Sequence, residues 1–355
     1  MRLSAHSPFS SRRGSVIIFV LGIILLAVFL ITRLMDRAAV ELAAESKAAK
    51  RADLRQEAFS ALEASLAVLA DEAAAGDGLH DATEGWDHPL QLMAYQPAEG
   101  FVAEVTVADE TGKLSLPQAD EDKLEAYLDA IDCPATATER VLDALLSWTK
   151  ADHVPLERGN VEFDTAALPY EAPQRALRSF EELRAIPAVR ELFFDEQGRW
   201  NELGQRFKAG ASLFSFANTN INSANADALA AQGLDPARIS AIEASRQDRN
   251  AGKSVYRTPA ELAGAWGREG TPPGLGTDAV CLRVTVQVRF GGLDYRVDAW
   301  IARQGAGAPG GTSPRAARRN ADVPAKPVIA SVRNNPRKRV DYPFQILELR
   351  ENDGS

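Results

Sequence analysis

The feature that most constrains this chain is an uninterrupted apolar run near its N-terminus, SVIIFVLGIILLAVFLIT, from Ser15 to Thr32. The 18 residues of this run carry no charge, and at about 1.5 Å rise per residue such a helix nearly crosses a hydrocarbon layer about 30 Å thick. The residues before the run include Arg2, Arg12 and Arg13 and no acid. Because positive charge is retained on the cytoplasmic side, we expect one membrane-spanning helix with the bulk of the chain outside the cytoplasm.

The sequence around this run does not match a conventional secretory signal, because no small-residue cleavage site follows it and the chain continues into RLMD. Before the run stands RRGS, in which Gly14 precedes Ser15. This resembles the leader of type IV pilins and pseudopilins, which their prepilin peptidase cuts after the glycine while the apolar helix remains attached. The resemblance implies that residues 1–14 are a leader and that Ser15 is the first mature residue. A plain membrane anchor, in which Gly14 is a flexible joint, is the alternative interpretation.

Phe19 occupies the fifth position counted from Ser15, where most pilin-like subunits carry a glutamate. An unpaired carboxylate inside a bilayer costs several kcal/mol, so its absence is expected in a subunit that does not insert beneath an earlier one. Among pilin-like proteins, the K-type minor pseudopilin of type II secretion is the member that characteristically lacks this glutamate. In an ordinary anchored protein, Phe19 would simply be one more apolar residue.

A long helix is predicted to continue beyond the membrane segment to about Asp71, because this stretch contains almost no glycine or proline. Small and apolar residues recur there at three- and four-residue spacing and form one stripe. The stripe consists of Leu54, Ala58, Ala61, Leu62, Ser65, Leu66 and Leu69. Such a stripe suits the stalk helix of a pilin-like subunit, and it suits a plain coiled stalk equally well.

Two regions of strand-like alternation frame a long helical stretch. Residues 100–116 predict a hairpin with an acidic turn, and residues 280–303 predict a second hairpin that turns at Gly291 and Gly292. Between them, residues 120–267 are mainly helical in pattern. This order predicts an α+β fold in which a pilin-like long N-terminal helix packs on an antiparallel sheet and a large helical domain is inserted between strands.

Several segments resemble the K-type minor pseudopilins of type II secretion, the general secretion pathway protein K (GspK) family. They are VADETGKLSLP after the first strand, LDALLSWTKADHVPLERGNVEFDTAALPY in the helical stretch and FEELRAIPAV soon after it. The resemblance extends to about Arg303. It predicts a leader at 1–14, a transmembrane and stalk helix at 15–75, the first part of the sheet at 76–118, an inserted helical domain at 119–270 and the second part of the sheet at 271–303. Composition adds a flexible linker at 304–336, and a C-terminal tail at 337–355 whose VDYPFQILEL could be an edge strand or a docking segment.

One module within the helical stretch, FANTNINSANADALAAQGLDPARI, resembles the family but also a helix-hairpin-helix, which in DNA-binding proteins presents backbone amides to phosphate. A DNA-binding hairpin normally carries two glycines, whereas this one has only Gly233, and Asp235 would face phosphate unfavourably. The net charge of -9 also opposes nucleic acid. We therefore expect no nucleic-acid partner, and we expect Asn222 or Ser223 and Asp235 to cap helices.

No catalytic motif is recognisable, since the sequence has no GxSxG, HExxH or P-loop, and an enzyme is not predicted. Cys133 and Cys281 could form one disulfide outside the cytoplasm or remain as buried thiols. The family resemblance implies Ca²⁺ in the inserted domain, and its residue-by-residue transfer gives Asp152 and Glu162 as metal ligands. Solvated loop acids that bind no metal are the other interpretation of these two residues.

The resemblance implies a minor pseudopilin at the tip of the type II secretion pseudopilus, which primes assembly and supports export of folded proteins across the outer membrane. Its expected partners are the I and J minor pseudopilins, the major pseudopilin, the prepilin peptidase and the inner membrane. The expected location is the bacterial inner membrane, with a single pass and the C-terminal bulk in the periplasm. A membrane-anchored pilin-like protein for DNA uptake or adhesion is the alternative.

Overall fold

The computed structural model describes residues 12–76, 78–156, 172–249, 255–258, 260–261, 274–303 and 344–353. The chain divides into two compact units, residues 1–56 and residues 57–355. The described part of the first unit is a single helix, the N-terminal part of α1 (Arg12–Ala75). Side chains 16–50 of this unit are exposed. The helix includes a stretch that is long and apolar enough to cross a membrane, with a mean hydropathy of 2.9.

The second unit combines the end of α1 with seven further described helices and eight described strands. The helices are α2 (Pro89–Leu92), α3 (Glu121–Ala130), α4 (Ala135–Thr149), α5 (Pro187–Phe193), α6 (Glu202–Gly210), α7 (Ala226–Ala230) and α8 (Pro236–Arg249). The strands are β1 (Val102–Asp109), β2 (Leu114–Ser115), β3 (Ala211–Ser212), β4 (Thr219–Asn220), β5 (Leu275–Gly276), β6 (Cys281–Phe290), β7 (Leu293–Ala302) and β8 (Gln345–Asp353).

Four of the strands form one antiparallel sheet in the order β1-β6-β7-β8. The predicted hairpin of β6 and β7 is confirmed, with Val286 opposite Val297 in the register. Its turn consists of Gly291 and Gly292, whose φ angles are 56° and 79°. Positive φ at both central residues suits a two-residue hairpin turn, because such turns match the right-handed twist of the flanking strands.

The alternating side chains of the sheet bury one face. Every second residue of β6 is fully buried through Val284, Val286 and Val288, while the residues between them are half-buried and polar. The predicted stripe on α1 is buried as well, from Ala58 to Leu69. The structure therefore has the α+β fold that the sequence predicts, with the long helix on an antiparallel sheet and a helical domain inserted between β1 and β6.

The predicted hairpin at residues 100–116 is wrong. Strand β1 pairs with β6, whereas the short strand β2 pairs in parallel with β3. The physical reason lies in the turn after β1, where Thr111 donates its amide to the Asp109 side chain at 2.8 Å and the Glu110 amide donates to the Cys281 carbonyl at 2.9 Å. These bonds attach the turn to the start of β6, so the chain proceeds into the helical domain instead of folding back on β1.

The inserted helical domain has its own core. Leu128, Val141, Phe193 and Phe207 from helices α3 to α6 are all buried in one apolar cluster. Tyr127 lies in the same cluster and donates its hydroxyl hydrogen to the Phe207 carbonyl oxygen at 2.7 Å. A second, smaller apolar cluster joins α7, α8 and β5. The helical domain thus consists of two locally packed parts.

The C-terminal tail contributes a strand to the sheet. Of the two interpretations of VDYPFQILEL, the edge strand is confirmed, since β8 pairs antiparallel with β7 and lies last in the sheet order. The predicted linker at 304–336 falls outside the described residues, as do residues 262–273, where a domain boundary is predicted. The domain boundaries therefore stay predictions.

The two cysteines are both free and buried. Cys133 belongs to the core of the helical domain, whereas Cys281 packs in a separate cluster with Phe214 and Phe216. Burial raises the pKa of both thiols, and that of Cys281 well above its ordinary value. Of the two interpretations of the cysteines, the structure therefore agrees with the buried thiols.

Replacement of Leu128 by alanine is expected to lower the free energy of unfolding by about 2–5 kcal/mol, because it opens a cavity in the core of the helical domain. Leu128 is 0% exposed, whereas Leu92 is 51% exposed. Leu92→Ala is the matched control and should change stability by less than about 0.5 kcal/mol. Urea unfolding of the detergent-solubilised chain, followed by circular dichroism, measures both, and equal effects of the two variants would contradict the described core.

Candidate functional site

The N-terminal segment carries the predicted processing site. Gly14 and Ser15 lie in the first turn of α1, and the Phe19 side chain is 69% exposed. The first acidic residue of the chain is Asp36, so the apolar segment offers no carboxylate at any position. Cleavage between Gly14 and Ser15 stays a prediction.

A polar cluster joins the two ends of the inserted domain, and we call it the insertion junction. It comprises Asp109, Glu110 and Thr111 at the end of β1, and Val280 and Cys281 at the start of β6. The Thr111 hydroxyl oxygen accepts hydrogen bonds from the amides of Val280 at 3.0 Å and Cys281 at 2.9 Å. The chain therefore leaves the sheet and returns to it at adjacent points.

Asn220 attaches the helical domain to this junction. Its side-chain amide donates to the Asp109 carboxylate at 2.7 Å and to the His80 carbonyl at 2.8 Å. Its backbone amide donates to the Thr111 carbonyl at 2.9 Å. Asn220 is fully buried, and a buried amide of this kind is stable only when its hydrogen bonds are made. One side chain thus holds three segments that are distant in sequence.

The NTNINSAN sequence places a second asparagine in the same network. The Asn222 side chain donates to the Tyr256 carbonyl at 2.9 Å and to the Thr277 carbonyl at 3.1 Å, and its oxygen accepts from the Tyr256 amide at 3.1 Å. The Asn222 side chain therefore forms hydrogen bonds with backbone groups of two other segments. Its role is to join these segments.

Two titratable groups of the network have shifted pKa values. Burial raises the pKa of Asp109 to about 6, although hydrogen bonds from Ser223 and Asn220 oppose the shift. A hydrogen bond with the Asp278 carboxylate raises the pKa of His80, against the effect of burial. His80 Nδ1 lies 3.3 Å from Asp278 Oδ1 and 3.0 Å from the Thr277 carbonyl oxygen. Both groups have structural partners, so we assign the network a structural role.

The helix-hairpin-helix module uses its polar residues as caps, partly as predicted. Asp235 accepts a hydrogen bond from the Arg238 amide at 2.9 Å at the start of α8, which confirms the predicted cap. The prediction for Asn222 or Ser223 is wrong, because Asn225 caps α7 by accepting from the Ala228 amide at 2.8 Å. Ser223 instead donates its hydroxyl hydrogen to Asp109 at 2.5 Å. The Ser223 hydroxyl is thus used by the half-buried Asp109 carboxylate, which also accepts a hydrogen bond from Asn220.

The predicted calcium ligands are not brought together in the described part of the chain. Asp152 is exposed after the end of α4, and Glu162 lies outside the described residues. Nearby, the buried Asp143 accepts from the Leu156 amide and lies 2.7 Å from Nε2 of His153. No group of three or more histidine, cysteine, aspartate or glutamate side chains that could hold a metal ion occurs among the described residues. Calcium binding stays a prediction.

Comparison with known proteins gives a match to a family model and matches to solved structures. Residues 106–196 match the family model of type II secretion system (T2SS) protein K. A chain in the crystal structure of the GspK-GspI-GspJ complex from enterotoxigenic Escherichia coli has the same fold. It is 15% identical with a TM-score of 0.50, over 86% of this chain and 99% of that chain. No curated protein matches the sequence.

Residues 106–196 of the chain are thus similar to protein K of type II secretion, and the fold is similar to that of a GspK complex chain. The matched segment begins in β1, includes the exit from the sheet at Thr111, and continues through α3, α4 and α5. It therefore covers the segment in which the helical insertion starts. The match supports a minor pseudopilin role in type II secretion.

The sequence does not predict the insertion junction. The segment that contains Asn220 resembles the family, but nothing in it indicates that Asn220 contacts Asp109. The signal that could have found it is the density of asparagines in an otherwise buried segment, because buried amides need several partners. The partners themselves are 111 and 140 residues away in sequence.

Replacement of Asp109 by asparagine is expected to change how stability depends on pH. Because the pKa of Asp109 is raised in the folded protein, the folded state binds this proton more tightly than the unfolded state does. The contribution of Asp109 to the free energy of unfolding should therefore fall as pH rises from about 4 through 6. The advantage of the wild type over Asp109→Asn should therefore be largest near pH 4 and shrink by pH 7. Urea unfolding across this range measures it, and parallel pH profiles of the two proteins would contradict the shift.

The calcium prediction is tested by thermal unfolding with added Ca²⁺ or a chelator. If Asp152 and Glu162 bind calcium, Ca²⁺ should raise the Tm of the wild type, because a ligand of the folded state stabilises it. Asp152→Asn and Glu162→Gln should each reduce the increase, whereas the exposed Glu196→Gln should not. A Tm that is the same with Ca²⁺ and with chelator would count against a structural ion.

Proposed function

We propose that this protein acts at the tip of the type II secretion pseudopilus, where it primes assembly and supports export of folded proteins across the outer membrane. The observation that carries the proposal is the combination of the protein K match at residues 106–196 with an apolar N-terminal helix that has phenylalanine, Phe19, as the fifth residue counted from Ser15.

The absence of a carboxylate supports the leading position. In pilin-like assemblies a glutamate at the fifth position would pair with the N-terminal amine of a neighbouring subunit. Since the first acid of this chain is Asp36, its apolar segment brings no unpaired charge into the bilayer. This absence of a carboxylate suits the first subunit of a filament, because no earlier subunit is present whose N-terminal amine could pair with it.

The helical insertion supports the same position. The sheet carries, between β1 and β6, a domain with its own apolar core. A domain of this size beside the sheet leaves less room for another subunit to add at that side. Such a subunit is suited to end a filament rather than to continue it.

The partners we propose are the I and J minor pseudopilins, together with the major pseudopilin and the prepilin peptidase. The similar fold comes from a GspK-GspI-GspJ complex, which supports this choice of partners.

We propose an inner-membrane location with a single pass, and with the C-terminal bulk of the chain in the periplasm. The described N-terminal helix, which is long and apolar enough to span a membrane, supports this location. Calcium bound at the predicted ligands would stabilise the inserted domain. The role we propose is assembly, without catalysis.

The first test is the N-terminal sequence and intact mass of the protein extracted from membranes, with and without the prepilin peptidase. We expect a chain that begins at Ser15 only when the peptidase is present. Gly14→Leu should abolish this cleavage, whereas Gly22→Leu is the control within the apolar helix and should leave it intact. An uncut N-terminus in the presence of the peptidase would refute processing.

The second part of the test is assembly. The cut protein should copurify with the I and J minor pseudopilins, and Phe19→Glu should reduce its recovery in that complex because it adds an unpaired carboxylate at bilayer depth. Copurification that fails for the wild type would refute the tip role. Tight binding of duplex DNA at physiological salt would instead favour the alternative of DNA uptake.

A further inference from the structure

A groove of about 810 Å³ lies between the outer face of the sheet and the helical domain. Strands β6, β7 and β8 form one wall, and residues from Phe180 to Ala209 contribute the other. Cavities that bind ligands commonly have volumes of roughly 300–1,000 Å³. The membrane segment contributes no residue to the lining described here, and of the insertion junction Glu110 takes part in it. We call it the tryptophan groove because Trp200 and Trp300 stand on its two walls.

Both tryptophans are held in place by neighbouring rings. Trp300 stacks on Phe214 with ring centroids 5.7 Å apart, and Trp200 lies against Phe194 with centroids 4.2 Å apart. Each indole is only half-buried, so part of its surface remains available to a partner. Tryptophan and arginine are enriched among the residues that dominate binding energy at protein interfaces, and tryptophan offers a large surface with little loss of conformational entropy.

The charged side chains that line the groove favour a partner with negative charge. Five basic and three acidic side chains line it, an excess of two positive charges. The acids are already engaged: Asp298 accepts two hydrogen bonds from Arg296, Glu110 pairs with Lys113 at 2.9 Å, and Glu348 pairs with Arg350. This leaves positive charge uncompensated, within a chain whose net charge is -9.

Two cations account for the excess. The Arg283 Nε atom is buried without a hydrogen-bond partner, and its closest ion-pair contact in the described chain is the Glu110 carboxylate at 4.0 Å, which Lys113 already binds. On the opposite wall, Lys208 Nζ lies 5.6 Å from the ring centroid of Trp200. In the described residues, Lys208 has no ion pair. A carboxylate that entered between these two side chains would form charge-assisted hydrogen bonds.

The strand register places the aromatic and charged positions side by side. Arg283 lies opposite Trp300, and Trp300 lies opposite Glu348 on the edge strand β8. A cation therefore stands directly beside the half-buried Trp300 indole, over which the Arg350 guanidinium also lies at 5.0 Å from the ring centroid, along a sheet that ends at β8. A partner that matched this row would carry an acidic side chain next to an aromatic or apolar one.

We propose that the tryptophan groove binds an acidic, extended segment of a partner protein, with carboxylates at Arg283 and Lys208 and an aromatic or apolar side chain against the tryptophans. The proposal does not depend on which subunit or exported protein supplies that segment. It adds to the tip function a binding surface in the part of the chain that follows the membrane helix.

The experiment selects peptides from a displayed random library of 12-residue sequences, using the detergent-solubilised full-length chain as bait. Peptides recovered on the wild type should be enriched in aspartate or glutamate beside aromatic residues. One recovered peptide is then labelled, and its Kd is measured by fluorescence anisotropy. Its affinity should fall as salt is raised, and a peptide with amides in place of the acids should bind about tenfold more weakly or worse.

Matched variants test the position of binding. Arg283→Gln combined with Lys208→Gln should weaken the selected peptide by about tenfold or more, and Lys208→Gln alone should weaken it less while leaving the Tm unchanged. The control combines Arg140→Gln with Arg238→Gln, which removes two positive charges from half-exposed side chains away from the groove. It should bind the peptide as the wild type does.

Three outcomes would overturn the proposal. They are a library that yields no acidic enrichment on the wild type, a selected peptide that binds the groove variants and the control equally, and duplex DNA that displaces the peptide with equal affinity. The last would show a general polyanion site. A failure of the tip function would leave these binding measurements unaffected, so the two proposals can be refuted separately.

Discussion

Thr111 is the point on which the architecture depends, because a domain can be inserted into a sheet only if the chain leaves and re-enters it at one place. Its hydroxyl accepts the amides of Val280 and Cys281, while the neighbouring Glu110 amide donates to the Cys281 carbonyl. The entropy of closing a loop grows only with the logarithm of its length, by about 0.6 kcal/mol for each doubling. A long insertion is therefore tolerated once its two ends are fixed.

The side chains of Asn220 and Asn222 add further hydrogen bonds between the helical domain and the region around Thr111. Asn220 binds the end of β1 and the segment after the stalk helix, and Asn222 binds the segments at Tyr256 and Thr277. These bonds place the helical domain against the outer face of the sheet at a defined position. The tryptophan groove has two facing walls because that position is defined. The NTNINSAN segment thus acts through the backbone groups to which its side chains donate hydrogen bonds.

The sequence predicts well those features that depend on local periodicity. The alternation in β6 and β7 and the two glycines give the hairpin, and the spacing on α1 from Ala58 to Leu69 gives its buried stripe. Prediction from the sequence fails where the structure depends on a residue that is distant in sequence. The two examples are the wrong hairpin after β1 and Ser223, which donates a hydrogen bond to Asp109 instead of capping α7. Neither cause is visible locally, because Asp109 and Ser223 are 114 residues apart. The processing and calcium residues rest on resemblance and stay predictions.

The buried thiols have a practical consequence. Thiolates are the species that react with maleimides and with disulfides, and burial raises the pKa of both Cys133 and Cys281. The native cysteines are thus shielded by position and by chemistry. A single cysteine introduced on the surface, for instance at the rim of the tryptophan groove, would be the preferred site for a spin label or cross-linker. Mapping of the protein's neighbours by cross-linking could then begin from the wild-type background, without prior removal of native thiols.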